Sequence, residues 1–223
     1  MKTLQSSYAV LLKDAQSELR TRYAVNALLM FVVTAAVIVQ LAIRSEAPSP
    51  SVLSGLFWVV VFFAAMSGLS RTFVSEEERN TAMTLQLVAS PTAVYFGKLF
   101  FNIVLTLILN AAITFLFTVV FPGFEVRQFE TFVLTVVLGS LGLASASTIL
   151  AAIVAKAGSK GTLYPVLAFP ILIPLLMTAM KATTRALEGE PFGAASAEFQ
   201  VLISYIMVIT AGSYLLFDYV WKE

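Results

Sequence analysis

One short segment carries the side chains best suited to polar chemistry. Residues 75–91 read SEEERNTAMTLQLVASP, and three consecutive carboxylates lie there between two long apolar runs. Carboxylates in this arrangement can cap a helix or pair with basic groups on another protein. The segment is therefore predicted to be either a solvated charged loop or a docking helix for a protein partner. The candidate docking residues are Ser75, Glu76, Glu77, Glu78, Arg79, Asn80, Met83 and Leu87.

Several kinds of chemistry are excluded by what the sequence lacks. It contains no cysteine and no histidine, which removes disulfides, thiolate chemistry, the commonest general base and the commonest metal ligand. It has no G-x-x-x-x-G-K-[ST] motif, so ATP hydrolysis through a P-loop is not expected. No nucleophile–base pair is recognisable in the sequence. We therefore expect a protein that is not an enzyme and has no catalytic or metal-binding residues.

The local structure of the acidic segment is predicted from its end signals. Ser75, with Glu78 three residues later, matches a capping box and predicts a helix that starts at Ser75. The three glutamates would then lie in the first turn, where the helix dipole favours negative charge. Ser90 followed by Pro91 predicts a second helix start, because proline suits the first helical position. Met83 and Leu87 would form a short apolar face between these two points.

The rest of the chain has the composition of an integral membrane protein. Of its 223 residues, 59% are hydrophobic and 12% are charged, and the mean hydropathy is +0.89. Apolar runs of about 20 residues are sufficient to cross the hydrocarbon core of a bilayer. Because these runs lie in the bilayer, membrane lipids are expected partners. Nucleic acid is not an expected partner, since the formal net charge is only +1. The predicted spans are residues 23–43, 52–70, 99–121, 129–155, 162–180 and 199–219.

Six spans place both termini on the same side of a membrane. Most of the 14 basic residues fall in the terminal segments and in the loops on that side, which predicts a cytoplasmic N-terminus. Residues 71–98 then form the longest cytoplasmic segment. The whole chain, 1–223, is expected to form one all-α transmembrane domain.

The N-terminal residues 1–22 are predicted to form an amphipathic helix ahead of the first span. Their apolar side chains recur at helical spacing, which favours a helix that lies in the membrane interface. This helix is either a simple anchor or an elbow that helps to hold a cytoplasmic partner. The apolar face comprises Leu4, Tyr8, Leu11, Leu12, Ala15 and Leu19. The polar residues of the elbow are Lys13, Glu18, Arg20 and Arg22.

Two predicted spans carry polar or helix-breaking residues that bear on function. Span three has a polar residue at every fourth position, which predicts either hydrogen bonds between helices or the lining of a substrate route or subunit interface. Span five contains three prolines, which remove backbone donors and predict a bent helix that is either a moving part or a static kink. The candidate residues are Asn102, Thr106, Asn110, Thr114, Pro165, Pro170 and Pro174.

Three stretches of the sequence resemble one family. YFGKLFFN (residues 95–102), which follows the Ser-Pro pair, looks like the corresponding part of ABC-2-type permeases. KDAQSELRTRYAVNALLMF (13–31) and GSKGTLYPVLAFPILIPLLM (158–177) are similar to the CcmB family, the haem-exporter protein B of cytochrome c maturation. The resemblance covers nearly the whole chain and includes its length and six-span plan. One departure is Ala82, which stands where the family's coupling segment usually has glycine.

The resemblance implies a permease subunit of an ABC transporter complex in the bacterial inner membrane. In that family the first cytoplasmic loop carries a coupling helix, which sits in a cleft of a separate, CcmA-like ATPase subunit. Two copies of the chain and two ATPase subunits are implied, together with a CcmC-like haem-handling membrane protein and a CcmE-like chaperone. ATP would bind to the partner subunit, haem would be a candidate cargo of the complex, and no cofactor is expected on this chain.

Two other functions remain open from the sequence. An ABC-2-type exporter of a lipid, polymer or drug would share the coupling segment and the short outer loops. A membrane scaffold could instead assemble haem-handling proteins without transporting anything. Because histidine and cysteine are absent, only methionine or tyrosine could ligate haem iron here. We therefore expect the chain to act mechanically and not to hold the iron.

Overall fold

The computed structural model describes residues 2–21, 23–43, 48–78, 81–156 and 164–222. The regular structure in these ranges is helical, as predicted. A short 3-10 turn, Phe192–Ala195, precedes the last helix. The helices are α1 (Lys2–Thr21), α2 (Tyr23–Ile43), α3 (Pro50–Leu69), α4 (Arg71–Glu78), α5 (Ala82–Val88), α6 (Pro91–Val120), α7 (Phe129–Lys156), α8 (Tyr164–Glu188) and α9 (Ser196–Lys222).

Within the described ranges, five helical segments are long and apolar enough to cross a membrane. The protein is therefore a multi-pass membrane protein. The predicted span at 23–43 falls on α2, whose described apolar stretch, Leu28–Ile43, is shorter than the other five. The five segments are Pro50–Glu78, Pro91–Val120, Phe129–Lys156, Tyr164–Glu188 and Phe192–Trp221.

The first of these segments consists of α3 and α4 joined at Ser70. The apolar part ends with α3 at Leu69, and α4 continues beyond it as a polar helix. Ser70 keeps a right-handed helical backbone (φ −57°, ψ −28°), so the chain passes from one helix to the next with little interruption. The prediction that a helix starts at Ser75 was therefore wrong. Ser75 lies inside α4, and the three glutamates occupy its last turn instead of its first.

The start of α6 follows the Ser-Pro signal and not the hydropathy. The Ser90 side chain accepts a hydrogen bond from the Ala93 amide at 3.3 Å, and Pro91 is the first helical residue. The second cap was therefore predicted correctly. Hydropathy placed the start of span three at residue 99, because the polar first turns of α6 resemble a loop. Lys98 consequently lies inside a helix and not at the end of a loop.

The long helix α7 forms the centre of the bundle and packs against α6, α8 and α9. Its small residues allow this close approach. A Cβ added at Gly139 would lie 2.2 Å from the Trp58 ring, and one added at Gly142 would lie 2.4 Å from Leu175. Gly139 and Gly142 therefore pack closely against neighbours within the same chain.

The helix α1 lies along the first turns of α6. Gly97 makes this approach possible, since a Cβ there would lie 2.7 Å from the Val10 Cβ and 2.8 Å from the Ser7 carbonyl oxygen. Leu4 and Tyr8, on the predicted apolar face of α1, point away from the bundle and are exposed. The buried face of α1 carries Ser7, Val10 and Asp14, so it is partly polar.

Candidate functional site

A buried ion cluster lies where α1, α4 and α6 meet. Its centre is Lys98, which is only 1% exposed. The Lys98 Nζ lies 2.9 Å from the Asp14 Oδ2 and 2.8 Å from the Glu76 Oε1, and it donates a hydrogen bond of 2.9 Å to the Thr72 carbonyl oxygen. The ammonium also lies 5.5 Å from the centre of the Phe73 ring, within the range of a cation–π contact. A buried lysine is tolerated here because its charge is paired on two sides.

Glu76 is the second buried member of the cluster, and it accepts several hydrogen bonds. Burial on its own would raise the pKa of the Glu76 carboxyl. The charge of Lys98, together with hydrogen bonds from Lys13, Lys98 and Thr81, outweighs burial and lowers the pKa from 4.5 to about 2. The carboxyl therefore stays ionised at neutral pH and holds both lysines.

These contacts also explain how Glu76 is accommodated at the end of α4. The C-terminal end of a helix carries partial negative charge and disfavours a carboxylate. Two lysines from other helices, Lys13 of α1 and Lys98 of α6, compensate the charge of Glu76. The acidic turn is therefore stabilised by tertiary contacts and not by the helix dipole that the sequence suggested.

Polar side chains continue from the ion cluster into the bundle. Thr72 donates from its hydroxyl to the Asn102 Oδ1 at 2.9 Å, and the Asn102 Nδ2 donates to the Thr148 hydroxyl at 2.8 Å. Further along α6, the Asn110 Nδ2 donates to the Ser140 hydroxyl at 2.6 Å. The predicted polar stripe of span three thus forms hydrogen bonds to α4 and α7.

The other two candidate residues of this polar stripe are Thr106 and Thr114. Thr106 is buried and donates to the Asn102 carbonyl oxygen of its own helix at 2.7 Å. Thr114 is half-buried. The interhelical interpretation therefore holds for Asn102 and Asn110. A role of these residues in a substrate route stays a prediction.

A second feature, at the surface near the cluster, is a patch of exposed acidic and apolar side chains. Met83 and Leu87 of α5 are 73% and 83% exposed, and Val88 is also exposed. Glu77 and Glu78, at the end of α4, are exposed as well. These five residues are called the acidic–apolar surface below. Large apolar side chains outside the membrane-crossing part of a helix are suited to contact with another protein.

The segment α5 is attached to the bundle by few contacts. Ala82, at the position where the resemblance led us to expect glycine, is buried as the first residue of α5, and its methyl group fits the helical backbone. The Gln86 side chain donates to the Trp221 carbonyl oxygen at the end of α9, at 2.6 Å. Between α5 and the ion cluster lies a cavity of about 520 Å³, lined by residues that include Glu18, Thr84 and Leu85.

The structure places the remaining predicted residues as follows. Lys13 pairs with Glu76 and lies 3.4 Å from Asp14, and Glu18 is partly buried beside the cavity. Ser75 lines the same cavity from α4. The side chains of Arg20, Arg22, Arg79 and Asn80 lie outside the described residues.

The prolines of predicted span five lie in one continuous helix, α8. Pro165 is the second described residue of α8, and the residues directly before Tyr164 lie outside the described ranges. Pro170 and Pro174 are inside the helix, and all three prolines are exposed. Whether α8 moves during transport stays a prediction.

Sequence reasoning missed the centre of the site. Asp14 and Lys98 were present in the quoted motifs but were not selected as functional residues. One signal was available, because a lysine eight residues into a capped apolar helix must find a partner if it is buried. The identity of that partner was not available, since Asp14, Glu76 and Lys98 are far apart in sequence.

The described residues offer no obvious site for a metal ion. Among them, no group of three or more acidic side chains could hold one.

The fold and the site together define a class of protein. The chain is an all-helical, multi-pass membrane protein that combines a buried ion cluster with a short helical segment carrying exposed acidic and apolar side chains. The model of the CcmB family, described as CcmB protein, matches residues 5–217. The chain belongs to the CcmB family. No curated protein matches it significantly.

Family membership fixes the broad function. A CcmB-family membrane protein of this kind is a permease subunit of an ABC transporter that acts in haem transport and cytochrome c maturation.

Proposed function

We propose that a separate, CcmA-like ATPase subunit docks on the acidic–apolar surface of α4 and α5. The observation that carries this proposal is the exposure of Met83 and Leu87, at 73% and 83%, a few residues along the chain from two exposed carboxylates. Apolar side chains rimmed by charge are typical of a protein-binding surface. The carboxylates favour a basic cleft on the partner. Glu76, which the sequence analysis included in this surface, is buried and is assigned instead to the ion cluster.

The proposed arrangement in the membrane has six spans, with α2 as the first. Both termini and the acidic–apolar surface face the cytoplasm of a bacterial inner membrane, as the distribution of basic residues favours. The helix α1 lies in the interface. Its exposed Leu4 and Tyr8 contact lipid, and its partly polar face packs on α6, which supports the elbow interpretation of this helix.

The proposed complex contains two copies of this chain, two ATPase subunits, a CcmC-like membrane protein and a CcmE-like chaperone. Its output is haem delivered for cytochrome c maturation. This chain transmits motion and does not hold the iron, since without histidine and cysteine it has only methionine and tyrosine, the less common haem ligands. Stoichiometric haem retained by the purified chain alone, with an iron–ligand spectrum, would contradict that part.

The composition of the complex is tested by purifying the protein at native expression in mild detergent and identifying what accompanies it by mass spectrometry. Recovery of a P-loop ATPase with CcmC-like or CcmE-like proteins is the expected result. An ATPase without haem-handling proteins would favour an exporter of another substrate. Recovery of haem-handling proteins without an ATPase would favour the scaffold.

The docking surface is tested by charge reversal of its two exposed carboxylates, Glu77→Lys with Glu78→Lys. Recovery of the ATPase is expected to fall by about tenfold or more, because like charges brought together at an interface cost several kcal/mol. The matched control is Glu125→Lys with Glu130→Lys. It makes the same change of charge on exposed carboxylates at the opposite end of the bundle and should leave recovery unchanged. Equal recovery from both double variants would refute docking at this surface.

A further inference from the structure

Lys98 connects helices that otherwise pack on different partners. The helix α1 packs mainly along α6, whereas α4 packs mainly along α7. The cavity of about 520 Å³ lies beside the place where α1, α4 and α5 approach one another. Apolar packing is therefore incomplete there, and the described link between α1 and α4 runs through charged side chains.

Two of these charged links meet at one atom. The Lys98 Nζ lies 2.9 Å from Asp14 of α1 and 2.8 Å from Glu76 of α4. Separating either pair would remove one of the two partners of the buried Lys98 charge and leave the released carboxylate with Lys13 as its one cationic partner among the described residues. Breaking a buried ion pair in this way is more costly than sliding one apolar surface over another. The three helices are therefore held at fixed distances where the cluster lies.

The same lysine also begins the hydrogen-bonded chain that runs into the bundle. It donates to the carbonyl oxygen of Thr72, whose hydroxyl donates to Asn102, and Asn102 in turn donates to Thr148 of α7. A continuous series of hydrogen bonds thus connects α4 to α6 and α7, and a displacement of α4 can be transmitted along it. Further out, Phe73 of α4 packs on Phe217 of α9 at a ring distance of 5.7 Å.

We propose that Lys98 is a positioning residue that makes α1, α4 and the first turns of α6 move as one unit when the ATPase moves the coupling segment. The inference rests on the proposed function, because the ATPase supplies the displacement. Lys98 is only 1% exposed and is not one of the residues of the acidic–apolar surface, so its loss should leave the contacts with the ATPase in place. Loss of Lys98 should therefore lower haem delivery more than it lowers ATP turnover, although the two change together in the wild-type complex.

The test compares Lys98→Met with Lys181→Met, the same substitution at an exposed lysine of α8. Three quantities are measured: ATPase subunit recovered per permease, total ATP turnover of the complex purified from a fixed number of cells, and mature cytochrome c formed by the same number of cells. For Lys98→Met we expect unchanged recovery but a fall of about fivefold or more in cytochrome c formed per ATP hydrolysed. Lys181→Met should leave all three unchanged. A merely structural loss would lower them in proportion to the amount of folded complex and leave their ratio constant.

Asp14→Asn provides a second variant in case Lys98→Met fails to fold. It keeps the side-chain volume and the Lys98–Glu76 pair but removes one ionic link to α1. We expect the same fall in cytochrome c formed per ATP hydrolysed. Lys98→Arg should show a smaller fall than Lys98→Met, because arginine retains the charge. An unchanged ratio in a folded variant, or loss of ATPase binding with the fold intact, would overturn the inference. If the wild-type protein itself recovers no ATPase, the proposed function is refuted. If the wild-type protein recovers the ATPase but the folded variants keep the wild-type ratio, only the inference about Lys98 is refuted.

Discussion

At the scale of single residues, the chemistry of this permease is governed by charges that are buried at one end of the bundle. Lys98, Asp14 and Glu76 come from three helices and compensate one another within 3 Å. The two exposed glutamates next to them remain available to a partner. Neighbouring residues of one acidic run therefore have different roles, and their side-chain direction on α4 decides which role each has.

The lowered pKa of Glu76 predicts a specific dependence of stability on pH. Because the pKa is about 2 in the folded protein and 4.5 ordinarily, ionised Glu76 stabilises the fold fully above about pH 4.5. This contribution is lost as the pH falls towards 2. Glu76→Gln should cost about 3 kcal/mol of unfolding free energy at pH 7, since it breaks a buried pair. The difference from wild type should shrink between pH 4.5 and pH 3.

This difference can be measured by unfolding in mild detergent, followed by the fluorescence of Trp58 and Trp221. Glu77→Gln is the control, because Glu77 is exposed on the same helix; its substitution should leave stability within about 0.5 kcal/mol of wild type at each pH. The explanation through Glu76 would be wrong if Glu76→Gln lost the same free energy at pH 3 as at pH 7.

At the scale of secondary-structure elements, the contact between α1 and α6 depends on close approach of their backbones. Gly97→Ala should push the helices apart, since the new Cβ would lie 2.7 Å from the Val10 Cβ and 2.8 Å from a backbone oxygen. Overpacking of this kind costs about 1–3 kcal/mol. Gly212→Ala is the matched control on α9, where nothing lies within 4 Å of the added Cβ. It should be neutral or stabilising by up to about 1 kcal/mol.

The absence of native cysteines makes the separation of α1 measurable. Ser7→Cys places one thiol on the buried face of α1. Its maleimide labelling should become about tenfold faster in the Gly97→Ala background, as a cost of about 1.4 kcal/mol implies. No acceleration is expected in the Gly212→Ala background. Equal labelling rates in both backgrounds would show that α1 accommodates the methyl group without moving.

At the scale of the whole molecule, the proposal requires one orientation in the membrane. Single cysteines at Glu78 and Glu125 lie at opposite ends of the bundle, and both positions are exposed. In intact cells with a permeable outer membrane, an impermeant maleimide should label Glu125→Cys and should reach Glu78→Cys only after the inner membrane is opened. The reverse pattern would place the acidic–apolar surface outside the cell and remove it from any cytoplasmic ATPase.

Much of this architecture could be predicted from the sequence because it depends on local or additive signals. Long apolar runs identify membrane helices without knowledge of their neighbours. The start of α6 was recognised because Ser90 and Pro91 act within their own turn. Family membership was also recognisable, since it depends on order along the chain, and the CcmB match over residues 5–217 confirms it.

The tertiary structure alone decided which charges are buried and which remain exposed. The sequence suggested one surface formed by three glutamates and a cap at Ser75. Continuation of the helix through Ser70 instead rotated Glu76 inwards, towards Lys13 and Lys98. The ion cluster joins residues that are far apart along the chain, and the burial of each charge depends on oppositely charged partners on other helices. No local pattern contains that information, because the stability of a buried charge is set by its partners and not by its position in the sequence.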